Sequence, residues 1–309
     1  MNTDPAMTPH PPTRSGGERA LVLGGGGSTG NAWLIGVIAG LFDAGLDVAT
    51  ADLTIGTSAG STAAAQIAGA TPPELYSAIL AADSQPGTGP VGSDRRHAST
   101  RRVAEHMARI GAIIAAAEDV ADLRRRLGAA ALEMDAASDG SWQSNWRSTV
   151  AARLPSQRWP QRAVHITAVD AGTGDPVVFD RDSGVDLADA VAASCANGLP
   201  YRIGASRYID GGYRSSAENA DLAAGHARVL VLSPFGGRTL LPLEWRTHLA
   251  AQVEDLRASG SKVETVLPEV SAVHLFGTNA MDISLRPAAA RAGFDQGRDL
   301  AGRLADFWR

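Results

Sequence analysis

Short apolar runs, glycine turns and helical stretches alternate along the first part of the chain. The run "RALVLG" predicts a buried strand that begins at Arg19, and "NAWLIGVIAGLFDAG" after it has apolar residues at helical spacing. "LTIG" predicts a second strand, and residues 58–68 predict a second helix. A third helix follows Thr71, which makes a capping-box pattern with Glu74. This alternation favours a parallel sheet with helices packed on it.

The pattern changes between residues 84 and 160. Residues 84–99 are rich in glycine, serine and proline, which predicts a loop, and a stretch of helical character then continues as far as Leu154. We interpret residues 84–160 as a helical insertion. Two roles fit it equally well, a lid over a site and a cover for the sheet.

Beyond the insertion, the pattern predicts a β-hairpin at "AVHITAVDAGTGDPVVFDRD", a helix at "DLADAVAASCANG" and strands at "RYIDGG" and "RVLVLSP". Residues 236–309 are mostly helical in pattern, with one strand candidate at "KVETVL". Because no repeat or linker is visible, we predict a single domain over residues 19–309. Residues 1–18 are polar and proline-rich, so we expect a disordered tail there.

Composition narrows the class of protein. The 309 residues are 44% hydrophobic and 20% charged, which is typical of a soluble globular protein with a large core. A formal net charge of −5 disfavours nucleic acid as the main partner. Cys195 is the only cysteine, which excludes an intrachain disulfide and fits a reducing compartment. No apolar run has the length of a membrane span and no secretory signal is visible, so we expect a cytoplasmic protein. The sequence does not indicate an oligomeric state.

A serine lies between two glycines where the second strand meets the second helix. Residues 56–60 read Gly-Thr-Ser-Ala-Gly and match the G-x-S-x-G pattern of a nucleophile elbow. In such an elbow the serine occupies a sharp strand-to-helix turn, and its hydroxyl is exposed at the helix N-terminus. Ser58 is therefore a candidate nucleophile. The alternative is a serine that only caps an ordinary helix.

The glycine-rich stretch from Gly24 to Gly30 follows the first strand. Backbone N–H groups in such a loop can stabilise the oxyanion of an acyl-transfer reaction. The same letters also fit a dinucleotide-binding fingerprint, Gly25-x-Gly27-x-x-Gly30. That fingerprint needs an acidic residue at the end of the second strand, whereas Asp52 lies before that strand. The oxyanion interpretation is therefore favoured over dinucleotide binding.

A serine nucleophile needs a base, and three residues are candidates. His274, in "SAVHLFGT", is the best-placed histidine for a late-chain triad. Asp210 ends the strand "RYIDGG", so its carboxylate would lie at the carboxyl edge of the sheet and could take the proton of Ser58. Asp170, at the end of "VHITAVD", is nearly as good by position. An aspartate in such a place can also simply satisfy a tight turn.

Three motifs in order, a glycine-rich loop, G-T-S-A-G and D-G-G, together resemble the patatin-like phospholipase family. The surrounding segments "ALVLGGGGSTGNAWLIGVIAGL", "VAASCANGLP" and "YIDGGYRSSAENADLAAGHARVLVLSP" are also similar to that family. The resemblance runs from Arg19 to Pro234 and is looser across the insertion. It implies a three-layer α/β fold with a mainly parallel central sheet and helices on both faces. It also implies lipid acyl-ester hydrolysis without a metal or a cofactor.

Carried over by position, the resemblance implies a Ser58–Asp210 dyad and no catalytic histidine. It implies an oxyanion hole formed by the backbone N–H groups of Gly25, Gly26 and Gly27. The remaining motif glycines support the turns, namely Gly24, Gly30, Gly56, Gly60, Gly211 and Gly212. The implied substrate is a fatty-acyl lipid or phospholipid, which allows peripheral contact with a membrane. The alternatives are an esterase with His274 as base and a non-enzymatic nucleotide- or lipid-binding module.

The chain departs from the family pattern at one position. The family usually has arginine or lysine before the last glycine of its loop, and this chain has Thr29. The change removes a positive charge near the oxyanion region, so it affects the expected rate and headgroup preference more than the reaction type. Cys195 matches a small-residue helix position, and we interpret it as a packing residue.

Overall fold

One eight-stranded sheet organises the molecule. The structure is a computed structural model that describes residues 17–83, 105 and 107–309. The strands are β1 Arg19–Leu23, β2 Leu53–Gly56, β3 Ala163–Asp170, β4 Pro176–Phe179, β5 Tyr201–Ile203, β6 Ser206–Asp210, β7 Arg228–Leu232 and β8 Lys262–Val266. Each strand predicted from the sequence is present. Of the predicted tail, residues 1–16 lie outside the described residues, and the carbonyl of Glu18 accepts a hydrogen bond from the N–H of Arg228 (2.9 Å).

The sheet is parallel through its centre and antiparallel at one side. Hydrogen-bonded neighbours run β5-β6-β3-β2-β1-β7-β8, and β4 pairs with β3. Strands β3, β2, β1, β7 and β8 are parallel, whereas β4, β5 and β6 pair antiparallel. In β1 the side chains of Leu21 and Leu23 enter one apolar cluster, and those of Ala20 and Val22 enter another. Both faces of the sheet are therefore covered, as the continuous apolar runs indicate.

Nine α-helices surround the sheet in the part of the chain that the structure describes. They are α1 Gly27–Asp43, α2 Ala59–Gly69, α3 Pro72–Asp83, α4 over residues 107–116, α5 Val120–Ala136, α6 Trp142–Ala151, α7 Leu187–Ser194, α8 Leu249–Ala258 and α9 Arg286–Trp308. Short 3₁₀ turns fill much of residues 267–285. Within the described ranges, no helix is both long and apolar enough to cross a membrane.

The observed starts of α1 and α3 can be compared with the sequence predictions. Helix α1 begins at Gly27, so part of the glycine loop forms its first turn, whereas the apolar spacing becomes visible only from Asn31. At the start of α3, Glu74 accepts hydrogen bonds from the N–H (2.9 Å) and the hydroxyl (2.7 Å) of Thr71. The predicted capping pair is therefore formed.

The described part of the insertion packs on the sheet. Leu123 and Leu127 of α5 lie in an apolar cluster with Val169 and Ile209, the latter from β6. The indole Nε1 of Trp146 in α6 donates to the carbonyl of Ala192 (3.0 Å) in α7. Helices α5 and α6 thus act as a cover for the sheet. The predicted loop, residues 84–99, lies outside the described residues, and a lid role for the insertion stays a prediction.

Strand β3 aligns the ends of two other strands. Ile166 pairs with both Gly56 of β2 and Phe179 of β4, and Ala168 pairs with both Asp210 of β6 and Val177 of β4. Because β4 occupies one side of β3 at both positions, β2 and β6 share the other side. Their carboxyl ends meet two residues apart along β3. This register brings the residues after Gly56 next to Asp210.

Helices α1 and α9 cross with their backbones in close contact. Gly36 and Gly40 of α1 face Ala290 and Phe294 of α9, and a Cβ at either glycine would overlap a carbonyl oxygen. The partner glycines at 293 and 297 make the same approach towards α1. This crossing fixes the helix that begins in the glycine loop, because α1 has no room to move against α9.

One substitution at two positions of α9 tests this crossing. A Cβ at Gly297 would overlap the carbonyl of Val37, whereas nothing lies within 4 Å of a Cβ at Gly302. We expect Gly297→Ala to lower the free energy of unfolding by about 1–3 kcal/mol through overpacking. Gly302→Ala should raise it by up to ~1 kcal/mol, because alanine favours the helix. Denaturant unfolding of both variants checks the opposite signs, and equal effects would contradict the close crossing.

Candidate active site

Ser58 occupies a strained turn between β2 and α2. Its backbone has φ 53° and ψ −116°, a conformation that costs a non-glycine residue about 1–3 kcal/mol. Gly60 permits this turn, because a Cβ at that position would overlap the carbonyl of Leu23 at the end of β1. At Gly56 a Cβ would come within 2.6 Å of Ser61 Cα. The predicted elbow geometry is therefore present, with both flanking glycines required by close backbone contacts.

The hydroxyl of Ser58 is hydrogen-bonded to a carboxylate from a distant strand. Ser58 Oγ donates to Asp210 Oδ2 at 2.8 Å, and Ser58 is half-buried. The N–H of Ser58 donates to Ser194 Oγ (2.9 Å), so this N–H is held by α7. The Ser58 carbonyl accepts the hydroxyl of Ser61 (2.6 Å). The structure therefore brings together the two residues that the sequence nominated for a dyad.

Asp210 is a buried carboxylate with few compensating contacts. The residue is 6% exposed, and its pKa is raised to about 6 because burial outweighs the hydrogen bonds from Gly212 N–H and Ser58 Oγ. Gly212 N donates to Asp210 Oδ1 at 2.8 Å, and Asp210 N donates to the carbonyl of Ala196 at 3.0 Å. A carboxylate with a pKa near 6 is ionised at neutral pH and binds a proton more readily than an exposed aspartate, which suits a general base.

The glycine loop lies directly beside Ser58. A Cβ on Gly25 would be 3.5 Å from Ser58 Cβ. Gly24 N donates to the carbonyl of Leu232 (3.0 Å), which ties the loop to the end of β7. The carboxyl ends of β1, β2 and β7 therefore meet at one edge, and the loop can approach the reacting carbon of an ester at Ser58.

Two of the three predicted oxyanion donors are open. Gly25 N–H instead donates to the carbonyl of Ala217 at 2.8 Å, so this part of the prediction is corrected. Gly26 N–H and Gly27 N–H have no acceptor among the described residues, because α1 begins at Gly27 and the first N–H groups of a helix lack intrahelical partners. Gly30 N–H closes the first turn on the Gly26 carbonyl (3.0 Å). The available donors are thus at positions 26 and 27.

A buried polar network supports the Ser58–Asp210 pair, and the sequence analysis missed it. Asn219 is fully buried, and its Nδ2 donates to Thr57 Oγ1 (3.0 Å) and to the carbonyl of Gly211 (2.9 Å). Thr167 Oγ1 of β3 donates to the same Thr57 hydroxyl at 3.0 Å. These contacts join the residue before Ser58 to the residue after Asp210. Asn219 is in the left-handed conformation (φ 53°), which asparagine tolerates better than most residues.

The other candidate bases lie elsewhere. Asp170 Oδ1 accepts the N–H groups of Gly172 (2.8 Å) and Thr173 (3.1 Å), so it satisfies the hairpin turn. His274 is exposed in the 3₁₀ turn Val270–Leu275 and makes no hydrogen bond with Ser58. The structure therefore does not place Asp170 or His274 in hydrogen-bond contact with Ser58.

Two further sequence positions have clear local roles. Cys195 Sγ donates to the Ser58 carbonyl at 3.0 Å, and burial raises the pKa of this thiol to about 11. Such a thiol is a poor nucleophile at neutral pH. Thr29 is fully buried and its N–H donates to the Ala280 carbonyl (3.0 Å), so position 29 has no access to solvent.

The alternative dinucleotide site lacks its acidic residue. Asp52 Oδ2 accepts the N–H of Arg19 (2.8 Å) at the amino end of β1, opposite the edge where the glycine loop lies.

Among residues 17–83 and 107–309, no three His, Cys, Asp or Glu side chains are grouped so that they could hold a metal ion.

Comparisons with known proteins find one matching family and similar solved structures. The profile of a family described as patatin-like phospholipase matches residues 21–223. VipD from Legionella pneumophila is similar over 93% of this chain and 67% of its own, with 13% identity and a TM-score of 0.42. The type III effector protein ExoU is similar over 91% of this chain, which spans about half (53%) of ExoU, with 14% identity and a TM-score of 0.33. No curated protein matches the chain.

The family profile covers most of the chain and includes the glycine loop, Ser58 and Asp210. The chain belongs to the patatin-like phospholipase family.

Proposed function

We propose that the protein is a serine acyl hydrolase that cleaves the carboxylic ester of a lipid. Membership of the family supports a lipid hydrolase. The observation that carries the serine mechanism is the 2.8 Å hydrogen bond from Ser58 Oγ to Asp210 Oδ2 beside two open backbone N–H groups. Nucleophile, base and oxyanion donors are the three parts that acyl transfer needs.

In the proposed mechanism, Ser58 Oγ attacks the ester carbonyl while its proton passes to Asp210 Oδ2. The N–H groups of Gly26 and Gly27 stabilise the resulting oxyanion, and a single donor of this kind contributes about 10²–10³ in rate. Protonated Asp210 then gives its proton to the leaving alcohol as the tetrahedral intermediate collapses to the acyl-enzyme. Water then attacks the acyl-enzyme while its proton passes to Asp210. Asp210 returns that proton to Ser58 Oγ as the fatty acid leaves.

Apolar side chains at the rim of the site support a lipid substrate. Val270, Val273, Met281 and Ile283 are exposed between residues 267 and 285, and Met281 of this stretch lies beside the glycine loop. The contact is close, since the sulfur of Met281 would lie 3.0 Å from a Cβ on Gly27. Exposed apolar patches of this kind mark interaction surfaces. We therefore propose that this surface makes peripheral contact with membrane lipid, and we keep the cytoplasmic location expected from the sequence as part of the proposal.

Release of free fatty acid tests this function. Wild-type protein is incubated with a long-chain lipid ester in detergent micelles, and the products are identified by mass spectrometry. We expect fatty acid and the matching alcohol in equal amounts. The competing function, nucleotide binding by the glycine loop, predicts saturable binding of NAD or ATP with no ester cleavage, and that result would replace this proposal.

A further inference from the structure

Arg286, the first residue of α9, reaches the turn where α1 leaves the glycine loop. Its Nη1 donates to the carbonyl of Ser28 (2.7 Å), and its Nη2 donates to Asn31 Oδ1 (3.1 Å). The amide of Asn31 in turn lies 3.5 Å from the carbonyl of Ala59, the residue after Ser58. The guanidinium is therefore held between the helix of the glycine loop and the helix of the nucleophile.

A second arginine lies close to Arg286. The carbonyl of Arg153 accepts Gln66 Nε2 (3.2 Å), and Gln66 Oε1 accepts the same Asn31 amide (2.9 Å). The Arg153 guanidinium is exposed and lies over the Trp146 ring, 5.7 Å from its centroid. Asn31 therefore connects the two arginines. It accepts a hydrogen bond from the side chain of Arg286, and it reaches the backbone of Arg153 through Gln66.

The positive charge of this pair is not balanced by the protein. The acceptors of Arg286 are neutral, and across the described ranges neither guanidinium forms an ion pair with a carboxylate. Burial, followed by the charge of Arg153, lowers the pKa of Arg286 to about 10, so the group is still protonated at neutral pH. Partly buried charges are normally paired, because burial without a counterion is costly. A pair of like charges at this place is stabilised once an anion binds.

We propose that Arg153 and Arg286 bind the phosphate of a phospholipid substrate next to the ester that Ser58 attacks. The guanidinium fork matches phosphate oxygens, and Arg286 has N–H groups beyond those bound to Ser28 and Asn31. The phosphate of a glycerophospholipid is separated from its acyl esters only by the glycerol carbons. An anion site beside the nucleophile therefore selects phospholipid over an uncharged glyceride. This inference rests on the proposed function.

A ratio of two activities tests the site. Dihexanoylphosphatidylcholine and dihexanoylglycerol carry the same acyl chains and differ in the phosphate headgroup. We expect Arg153→Gln to lower the ratio of kcat/KM for the phospholipid over kcat/KM for the glyceride by about 10–100-fold, the value of a hydrogen bond to a charged group. Arg158→Gln, at a nearby exposed arginine, is the matched control and should keep the wild-type ratio. A ratio for Arg153→Gln within twofold of wild type would overturn the proposal.

Binding separates a failed site from a failed function. The Ser58→Ala variant is titrated with both lipids below their critical micelle concentrations, and isothermal titration calorimetry reports binding. We expect the phospholipid to bind at least about tenfold more tightly than the glyceride, and Arg153→Gln or Arg286→Gln to remove that preference. Equal binding of the two lipids overturns the proposed phosphate site. This result does not depend on whether the wild-type protein cleaves an ester.

Inorganic phosphate distinguishes the source of the anion. If the site recognises a lipid phosphate, millimolar phosphate competes weakly and the phospholipid binds far more tightly than phosphate. Binding of inorganic phosphate with an affinity equal to that of the phospholipid would overturn the headgroup assignment, because the acyl chains would then add nothing. Arg286→Lys keeps the charge and should retain part of the preference, whereas a purely structural role would make it equivalent to Arg286→Gln.

Discussion

Changing Ser58 to alanine should abolish covalent labelling by a fluorophosphonate probe and lower ester hydrolysis by about 10⁴–10⁶-fold. The reason is chemical, because in the proposed mechanism the acyl-enzyme forms on Ser58 Oγ and no neighbouring atom can replace it. The remaining activity reflects the oxyanion donors and substrate binding alone. Peptide mapping of labelled wild type should place the probe on the segment that contains residue 58.

The thiol of Cys195, which contacts the Ser58 carbonyl, provides the control for this experiment. Cys195→Ala removes a hydrogen bond to the Ser58 carbonyl but leaves the hydroxyl in place, so labelling should persist. Its high pKa also predicts slow reaction with iodoacetamide at pH 7. Loss of labelling in Cys195→Ala with retention in Ser58→Ala would assign the nucleophile to the thiol and refute the proposed mechanism.

Changing Asp210 to asparagine should lower kcat/KM by about 10²–10⁴-fold while the fold is retained. Asparagine keeps the acceptor for Gly212 N–H but cannot take a proton from Ser58 Oγ. His274→Ala is the matched test of the other base and should have little effect, because that histidine is exposed and makes no hydrogen bond with Ser58. A large loss with the histidine change alone would replace the dyad by a Ser–His mechanism.

The same variant has a pH signature. The Asp210 pKa is raised from 3.8 to about 6, so wild-type kcat/KM should fall as the pH drops through about 6 and the base becomes protonated.

The same pKa shift affects stability. A folded carboxyl with a raised pKa favours the protonated folded state, so its contribution to stability is lost as the pH rises from about 4 to 6. The shift corresponds to about 3 kcal/mol. We therefore expect Asp210→Asn to be more stable than wild type at pH 8 and to lose this advantage near pH 4, as measured by thermal unfolding.

The parts of the site that lie at strand ends were predictable from the sequence. Ser58 and Asp210 each follow an apolar run and have glycines close by in the sequence, and the carboxyl ends of parallel strands gather side chains at one edge of the sheet. That local pattern, together with the family resemblance, was enough to nominate both. The local pattern alone could not distinguish Asp210 from Asp170, which ends a strand in the same way, and the resemblance made that choice. The difference is tertiary, because Asp170 turns back on its own hairpin.

The residues that the sequence did not reveal act through distant contacts. Asn219 lies in a polar stretch without periodicity, and its role depends on Thr57, which is 162 positions away. The loss of Gly25 as an oxyanion donor depends on where the Ala217 carbonyl lies. Arg286 meets Ser28 across 258 positions. Hydrogen-bond partners of this kind are set by packing, and neither hydropathy nor spacing encodes them.

The close crossing of α1 and α9 has a consequence for biosynthesis. Helix α1 makes its most extensive packing contact with α9, so Gly36 and Gly40 stay uncovered until residues 286–308 have left the ribosome. Domains fold as units when their final contacts become available. The Arg286 guanidinium that holds the Ser28 carbonyl is also synthesised only with α9. A nascent chain stalled before α9 would therefore contain Ser58 and Asp210 and still lack the support of its glycine loop.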